Sequence, residues 1–200
     1  MITADGRYVT ANEATNPDLF WALKGGGPST FGALVSVTLK THADPPSAGV
    51  VVDINSTHTT DLSLIWKAAS EFHSRANLWT DNGMFVYYEL FPGSLHIRPF
   101  VMPNADAAKI ANVTQPFFDA LDANKIPYTK LVKDYPTFFD LYTDLFEDEV
   151  AGGATIVGGR IFTRDDIKNH NDEIMAAYQK IVAPDPGSFM NYGFVIGHVG

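Results

Sequence analysis

The chain has 200 residues, 46 % of them apolar and 18 % charged, which suits a folded chain with a sizeable core and excludes wholesale disorder. Lys and Arg total 14 against 23 Asp and Glu, a net charge of −9 with no basic run, which argues against a nucleic-acid partner. There is no cysteine, so disulfides, thiolate metal sites and cysteine nucleophiles are excluded, and no apolar run is long enough to span a membrane.

In chain order, "MITADGRYVTA" predicts a hairpin with a type I′ turn at Asp5-Gly6. "ATNPDLFWALK" predicts a helix over residues 16–24, with Asn16 as N-cap, Pro17 at the first position and Gly25 as the left-handed residue beyond the end. "ALVSVTLKT" alternates Val35, Val37 and Leu39 with polar residues, the pattern of a half-buried strand over 33–41. The Pro-rich "HADPPSAG" at 42–49 marks a domain boundary, dividing the chain into 1–42 and 43–200.

Beyond it, "VVVDI" reads as a strand and residues 61–76 as a helix with Leu62, Ile65, Trp66, Ala69 and Phe72 on one face. "MFVYYELF" and "LHIRPFVM" read as an antiparallel pair around Pro92-Gly93-Ser94. A helix containing Pro116, a weak strand "IPYTKLVKDY" and a helix starting at Pro136 follow. "ATIVGGRIF" predicts a strand interrupted by glycine, "RDDIKNHNDEIMAAYQKIVA" one more helix, and "FMNYGFVIGHVG" an apolar strand. Strands joined by turns in some places and helices in others give an α+β fold class: an antiparallel or mixed sheet with helices on one face. The opening hairpin and the closing strand carry no terminal signals, so the sequence reads as a segment cut at both ends.

The Gly25-Gly26-Gly27 run lies between a helix and an extended segment. No Gly-Lys-Ser/Thr occurs, so it is no P-loop, and the order helix, glycines, strand is the reverse of a Rossmann turn. One reading is a helix cap and a tight reversal. The other follows from the small residues that continue through Ser29, Thr30 and Gly32: their backbone suits close approach to a ligand such as a pyrophosphate.

Residues 3–42, "TADGRYVTANEATNPDLFWALKGGGPSTFGALVSVTLKTH", resemble the end of the PCMH-type FAD-binding domain of the vanillyl-alcohol oxidase superfamily, in particular its fungal berberine-bridge-enzyme-like oxidases. Asn16, Asp18, Leu19, Phe20, Trp21, Ala22, the three glycines, Phe31 and Gly32 carry the match. The resemblance implies FAD as cofactor, with Gly25, Gly26, Gly27, Ser29, Thr30, Phe31 and Gly32 against it; Pro28 departs from the family's small residue and removes one N–H donor. It implies that 43–200 belongs to a substrate-binding domain, incomplete at its C-terminal end, and that the segment alone is inactive. "GGRIFTRDDI" resembles that domain's Ser-Arg-Leu-x-x-Arg segment. The implied chemistry is hydride transfer from a small organic substrate (sugar, alcohol or secondary metabolite) to flavin, with O₂ or another electron acceptor reoxidising it. The family's catalytic base falls after residue 200, which leaves the catalytic residue unassigned here.

Among other candidates, the six histidines show no ligand spacing, so no metal site is expected, and no G-x-S-x-G elbow supports a serine hydrolase. Tyr87 and Tyr88 fall on opposite faces of their strand: one is a candidate for orienting substrate, against a core-plus-surface reading of the pair. Arg160, in a strand-like run, is a candidate substrate contact or a structural ion pair. Glu89 is a proton acceptor if buried and a solvated residue otherwise. The sequons Asn55-Ser56-Thr57 and Asn112-Val113-Thr114 point towards an extracellular glycoprotein. The rival class is a catalytically silent α+β binding or structural module.

Overall fold

Five stretches of extended chain find partners and make one antiparallel sheet, in the order β4-β1-β3-β2-β5. The strands are β1 (Ser47–Asn55), β2 (Phe85–Phe91), β3 (Ser94–Pro103), β4 (Thr129–Tyr135) and β5 (Val195–Val199). The structure is a computed structural model and describes residues 1–27, 30–146 and 158–183, together with the backbone of 195–199. It contains two compact units, Met1–Ala43 and Asp44–Gly200.

In the second unit, period-two alternation decides which side chains are buried. Val50, Val52 and Ile54 of β1, Val86, Tyr88 and Leu90 of β2, and Leu95, Ile97, Phe100 and Met102 of β3 all enter one core. The helices α2 (Ser63–His73), α3 (Ala76–Asp81), α4 (Ala107–Ala123), α6 (Arg164–Asn169) and α7 (Asn171–Val182) supply its other side. Phe72 lies at its centre. Its ring meets Tyr88 at 5.0 Å, Phe100 at 5.7 Å and Phe117 at 6.0 Å, each nearly edge-on. Trp79, fully buried, adds an edge-on contact to Phe100 at 5.1 Å, and its indole N–H has no acceptor among the described residues.

The helix α5 (Phe138–Leu145) departs from the expected arrangement, because it packs on the opposite face of the sheet. There Leu141 and Leu145 close over Val101, Tyr135 and Val51. Gly49 allows this approach: a Cβ at that position would collide with Leu145 Cδ1. The start of α5 is held by Asp44, whose carboxylate accepts from the Phe138 and Phe139 amides at 2.8 and 3.3 Å.

Further differences from the sequence reading have local causes. The helix predicted over the segment after Thr163 is two helices broken at His170; Thr163 and Asp166 form a capping box at the first. Pro116 lies inside α4 without ending it. The strand expected around Arg160 is absent over 158–162, which is irregular and leaves Arg160 exposed; the rest of that run, 154–157, lies outside the described residues.

In the first unit, α1 (Pro17–Gly26) forms where the sequence places it, but its chemistry differs at both ends. Asn16 is left-handed (φ 49°) and its side chain donates to Thr10 O rather than capping the helix. Gly25 is helical; the left-handed residue is Gly27, φ 84°. The hairpin turn uses three residues, because only Gly6 has positive φ and its amide donates back to Thr3 O, so Asp5 does not share a type I′ geometry. The strand expected over 33–41 is not formed. Ala33 exchanges both hydrogen bonds with Ile2, and the residues after it have no ladder partner among the described residues. Val35, Val37 and Leu39 are 54, 63 and 74 % exposed, an apolar alternation without a lateral partner among the described residues.

Two outcomes test this packing. Gly49→Val should destabilise the chain by about 1–3 kcal/mol in urea unfolding, because the Leu145 side chain must repack over β1. His73 is buried between α2 and α7, bonded to Asn171 at 2.8 Å. Desolvation holds its pKa below the usual value, with Asn171 opposing in part. The unfolded chain then binds a proton that the folded one refuses. Stability contributed by this site is present above about pH 6.5 and is lost as pH falls below it. Between pH 7.5 and 5, stability should fall more steeply in the wild type than in His73→Gln; equal slopes would refute the assignment.

Candidate functional site

Two places carry the candidate groups. The first is the glycine turn. A Cβ on Gly26 would lie 2.6 Å from the Phe31 ring, and one on Gly32 would strike Ile2 O, so both glycines have internal packing reasons. Gly27 needs its positive φ. Gly25 is different. It is helical, exposed, and a Cβ there would meet nothing within 4 Å.

Alanine at Gly25 would favour the helix by up to about 1 kcal/mol, and neither backbone angle nor packing among the described residues calls for glycine there. The C-terminal end of α1 presents carbonyls, not N–H donors, towards this turn. Thr30 Oγ1 donates to Gly26 O at 2.7 Å, covering one of them. Thr30 and Phe31 are exposed beside the turn; Ser29 lies outside the described residues.

The second place is the sheet face opposite the main core, beyond the part that α5 covers. The strand register sets Asp53 of β1 opposite His96 of β3, and His96 opposite Glu89 of β2. Carboxylate, imidazole and carboxylate thus form one row across three strands. His96 Nδ1 meets Asp53 Oδ1 at 2.5 Å, and Arg98 donates to the same oxygen through Nη2 at 2.7 Å and Nε at 3.2 Å.

Partial burial pushes the Asp53 carboxyl upward, but the hydrogen bonds from His96 and Arg98 outweigh it and hold the group below the usual carboxylate range. An ionised carboxylate only accepts, so the Nδ1 that faces it carries a proton. The Phe91 ring stands edge-on to the imidazole at 6.2 Å. Tyr87 O–H donates to Glu89 Oε1 at 3.5 Å, the outer limit of a hydrogen bond.

The sequence candidates separate on this geometry. Tyr87 lies on the polar face with Glu89. Tyr88 is in the core, its hydroxyl 3.2 Å from that of Tyr178. Arg160 is exposed on an irregular segment, and its charge helps lower the Asp166 carboxyl after the larger effect of Thr163. Asp53, His96 and Arg98 escaped the sequence reading because only register brings them together; the available signal was a polar residue at every second position of "VVDIN" and "LHIR". Among the described residues no three His, Cys, Asp or Glu side chains form a metal-binding group, and no helix is long and apolar enough to cross a membrane.

No protein-family model matches the chain. It is 31 % identical over 191 residues to the FAD-linked oxidoreductase patO of Penicillium expansum, a match covering 94 % of this chain and 33 % of that protein. It is 29 % identical over 198 residues to the FAD-linked oxidoreductase ZEB1 of Gibberella zeae, covering 94 % and 35 %. Its fold superimposes on the crystal structure of the VAO-type flavoprotein MtVAO615 from Myceliophthora thermophila C1 with a TM-score of 0.73 and 26 % identity, over 90 % of this chain and 34 % of that one. The chain spans about a third of the length of the curated relatives it matches. With sequence and fold agreeing over nearly its whole length, the chain belongs to the VAO-type family of FAD-linked oxidoreductases.

Proposed function

We propose that the chain is part of a FAD-dependent oxidoreductase that transfers a hydride from a small organic substrate (a sugar, alcohol or secondary metabolite) to flavin, with O₂ or another acceptor reoxidising it. Bound FAD supplies the two-electron chemistry. The first unit is read as the end of the FAD-binding domain, with Gly25, Gly26, Gly27, Ser29, Thr30, Phe31 and Gly32 as the residues that would lie against the cofactor. The second unit is read as the substrate-binding domain, with its polar sheet face towards substrate. The observation that carries this reading is Gly25, an exposed helical glycine with open space where its side chain would be. An extracellular location is part of the proposal, supported by the exposed turn after Asn55, whose carboxamide accepts from the Thr57 amide at 3.0 Å in an accessible sequon.

In a protein of its relatives' length, Gly25→Ala should leave thermal stability equal or slightly raised and lower the flavin retained after gel filtration. Gly32→Ala should instead lower stability, because its backbone angle and the Ile2 carbonyl both exclude a Cβ. Flavin content unchanged in a folded Gly25→Ala protein would reduce the turn to a helix end. A full-length protein without flavin absorbance would favour a silent module. Residues 1–200 alone should neither hold FAD stoichiometrically nor consume oxygen with sugars or alcohols, since one loop covers little of so large a ligand.

A further inference from the structure

We propose that Asn55, in the turn that ends β1, carries an N-linked glycan, and that Asn112, the other asparagine in an Asn-x-Thr sequon, does not. The inference rests on the extracellular part of the proposed function and lies wholly within the second unit.

N-linked transfer requires one enzyme to hold the asparagine carboxamide and to read the hydroxyl two residues later, so both side chains must be presented together. Around Asn55 they are. Ser56, Thr57 and His58 are exposed. The His58 amide donates to Asn55 O at 3.0 Å and closes a four-residue turn. Asn55 Oδ1 accepts from the Thr57 amide at 3.0 Å and from the Thr57 hydroxyl as well, which sets the two side chains in contact. No described residue accepts from Asn55 Nδ2, and among the described residues Trp79 Nε1 alone is a buried side-chain donor without an acceptor, so Nδ2 reaches solvent. The Ser56 amide donates to Gly93 O at 3.0 Å, which ties this turn to the one between β2 and β3. Asn55 shares the sheet face of Asp53, yet the bond to the Thr57 amide folds its carboxamide over the turn, so the sugar extends past the end of the strand.

The geometry at Asn112 is the opposite. It lies inside α4, where each residue turns about 100° from the last, so positions two apart point to nearly opposite sides. Asn112 is exposed, whereas Thr114 is fully buried and its hydroxyl donates to Ile110 O at 2.8 Å. The transferase cannot read a hydroxyl that the helix has taken inside.

The step balances with a lipid-linked oligosaccharide as co-reactant. Asn55 Nδ2 attacks the anomeric carbon of a sugar carried on a polyprenyl diphosphate. The C–N bond forms as the bond from that carbon to the diphosphate oxygen breaks. The diphosphate leaves with the electron pair, and one amide proton passes to a carboxylate of the transferase.

The test uses the full-length protein, expressed with its own N-terminal region in a secretory eukaryotic host, in wild-type, Asn55→Gln, Thr57→Ala, Thr57→Ser and Asn112→Gln forms. Each is digested, treated with peptide N-glycosidase in heavy-oxygen water and read by mass spectrometry, which marks every asparagine that bore a glycan as a labelled aspartate. The wild type should be marked at Asn55 and unmarked at Asn112. The gel shift on deglycosylation should shrink by one glycan in Asn55→Gln and Thr57→Ala and stay whole in Thr57→Ser and Asn112→Gln. Secreted protein with a bare Asn55 overturns the site and leaves the extracellular reading standing. A glycan on Asn112 as full as that on Asn55 overturns the geometric selection. Wild type retained in the cytosol sinks the extracellular reading. Fused to a secretory leader, the same protein then decides the site alone, and a bare Asn55 there overturns it.

Discussion

The pairing of β1 with β3 is the constraint on which the second unit depends. Both are central strands, and each must satisfy a ladder on two sides while its side chains alternate between a dry core and an open face. Once Val52 stands opposite Ile97 in the core, Asp53 must stand opposite His96 on the other face. The polar row is therefore a geometric by-product of core packing: a slip of one residue would bury two titratable groups and expose the aliphatic set. Fold and site share one register, which gives a strong reason for the site to be precise.

The same logic explains why the two faces are covered unequally. Five helices close the core side, whereas α5 covers only the end of the other face where Val51, Val101 and Tyr135 are apolar. Where the outward residues become charged, no described helix covers the sheet. Lys133 and Tyr135 both donate to Asp144 of α5, at 2.7 and 2.6 Å, fixing that helix laterally at the boundary.

Much of this architecture was legible in the sequence. Alternation located β2 and β3, and the apolar spacing of Ile65, Ala69 and Phe72 located α2, because those signals act within a few residues. Signals that depend on distant chain were not. Residues 34–41 carry a strand pattern yet have no ladder among the described residues, since a strand exists only with a partner. Gly25 looked like a cap because the two glycines after it are equally permissive, and only backbone angles tell which one turns. His96 was weighed against histidine spacing alone, while the residue that defines it, Asp53, lies 43 positions away. The glycine turn itself was visible from residue order, but that Gly25 has open space beside it needed coordinates.

The strand order has a kinetic consequence. The β2–β3 hairpin closes over two residues, so it forms at little entropic cost, and β1 joins β3 across a gap of some forty. By contrast, β5 pairs with β2 across more than a hundred residues, Val86 with Val199. During synthesis the outer edge of β2 must wait, with its amides and carbonyls unmet, until the ribosome has delivered the last of these segments. For that interval the growing chain offers a template to any extended neighbour, its own or another's. Glu89, within β2, is well placed to discourage such a mistake before the fold is complete.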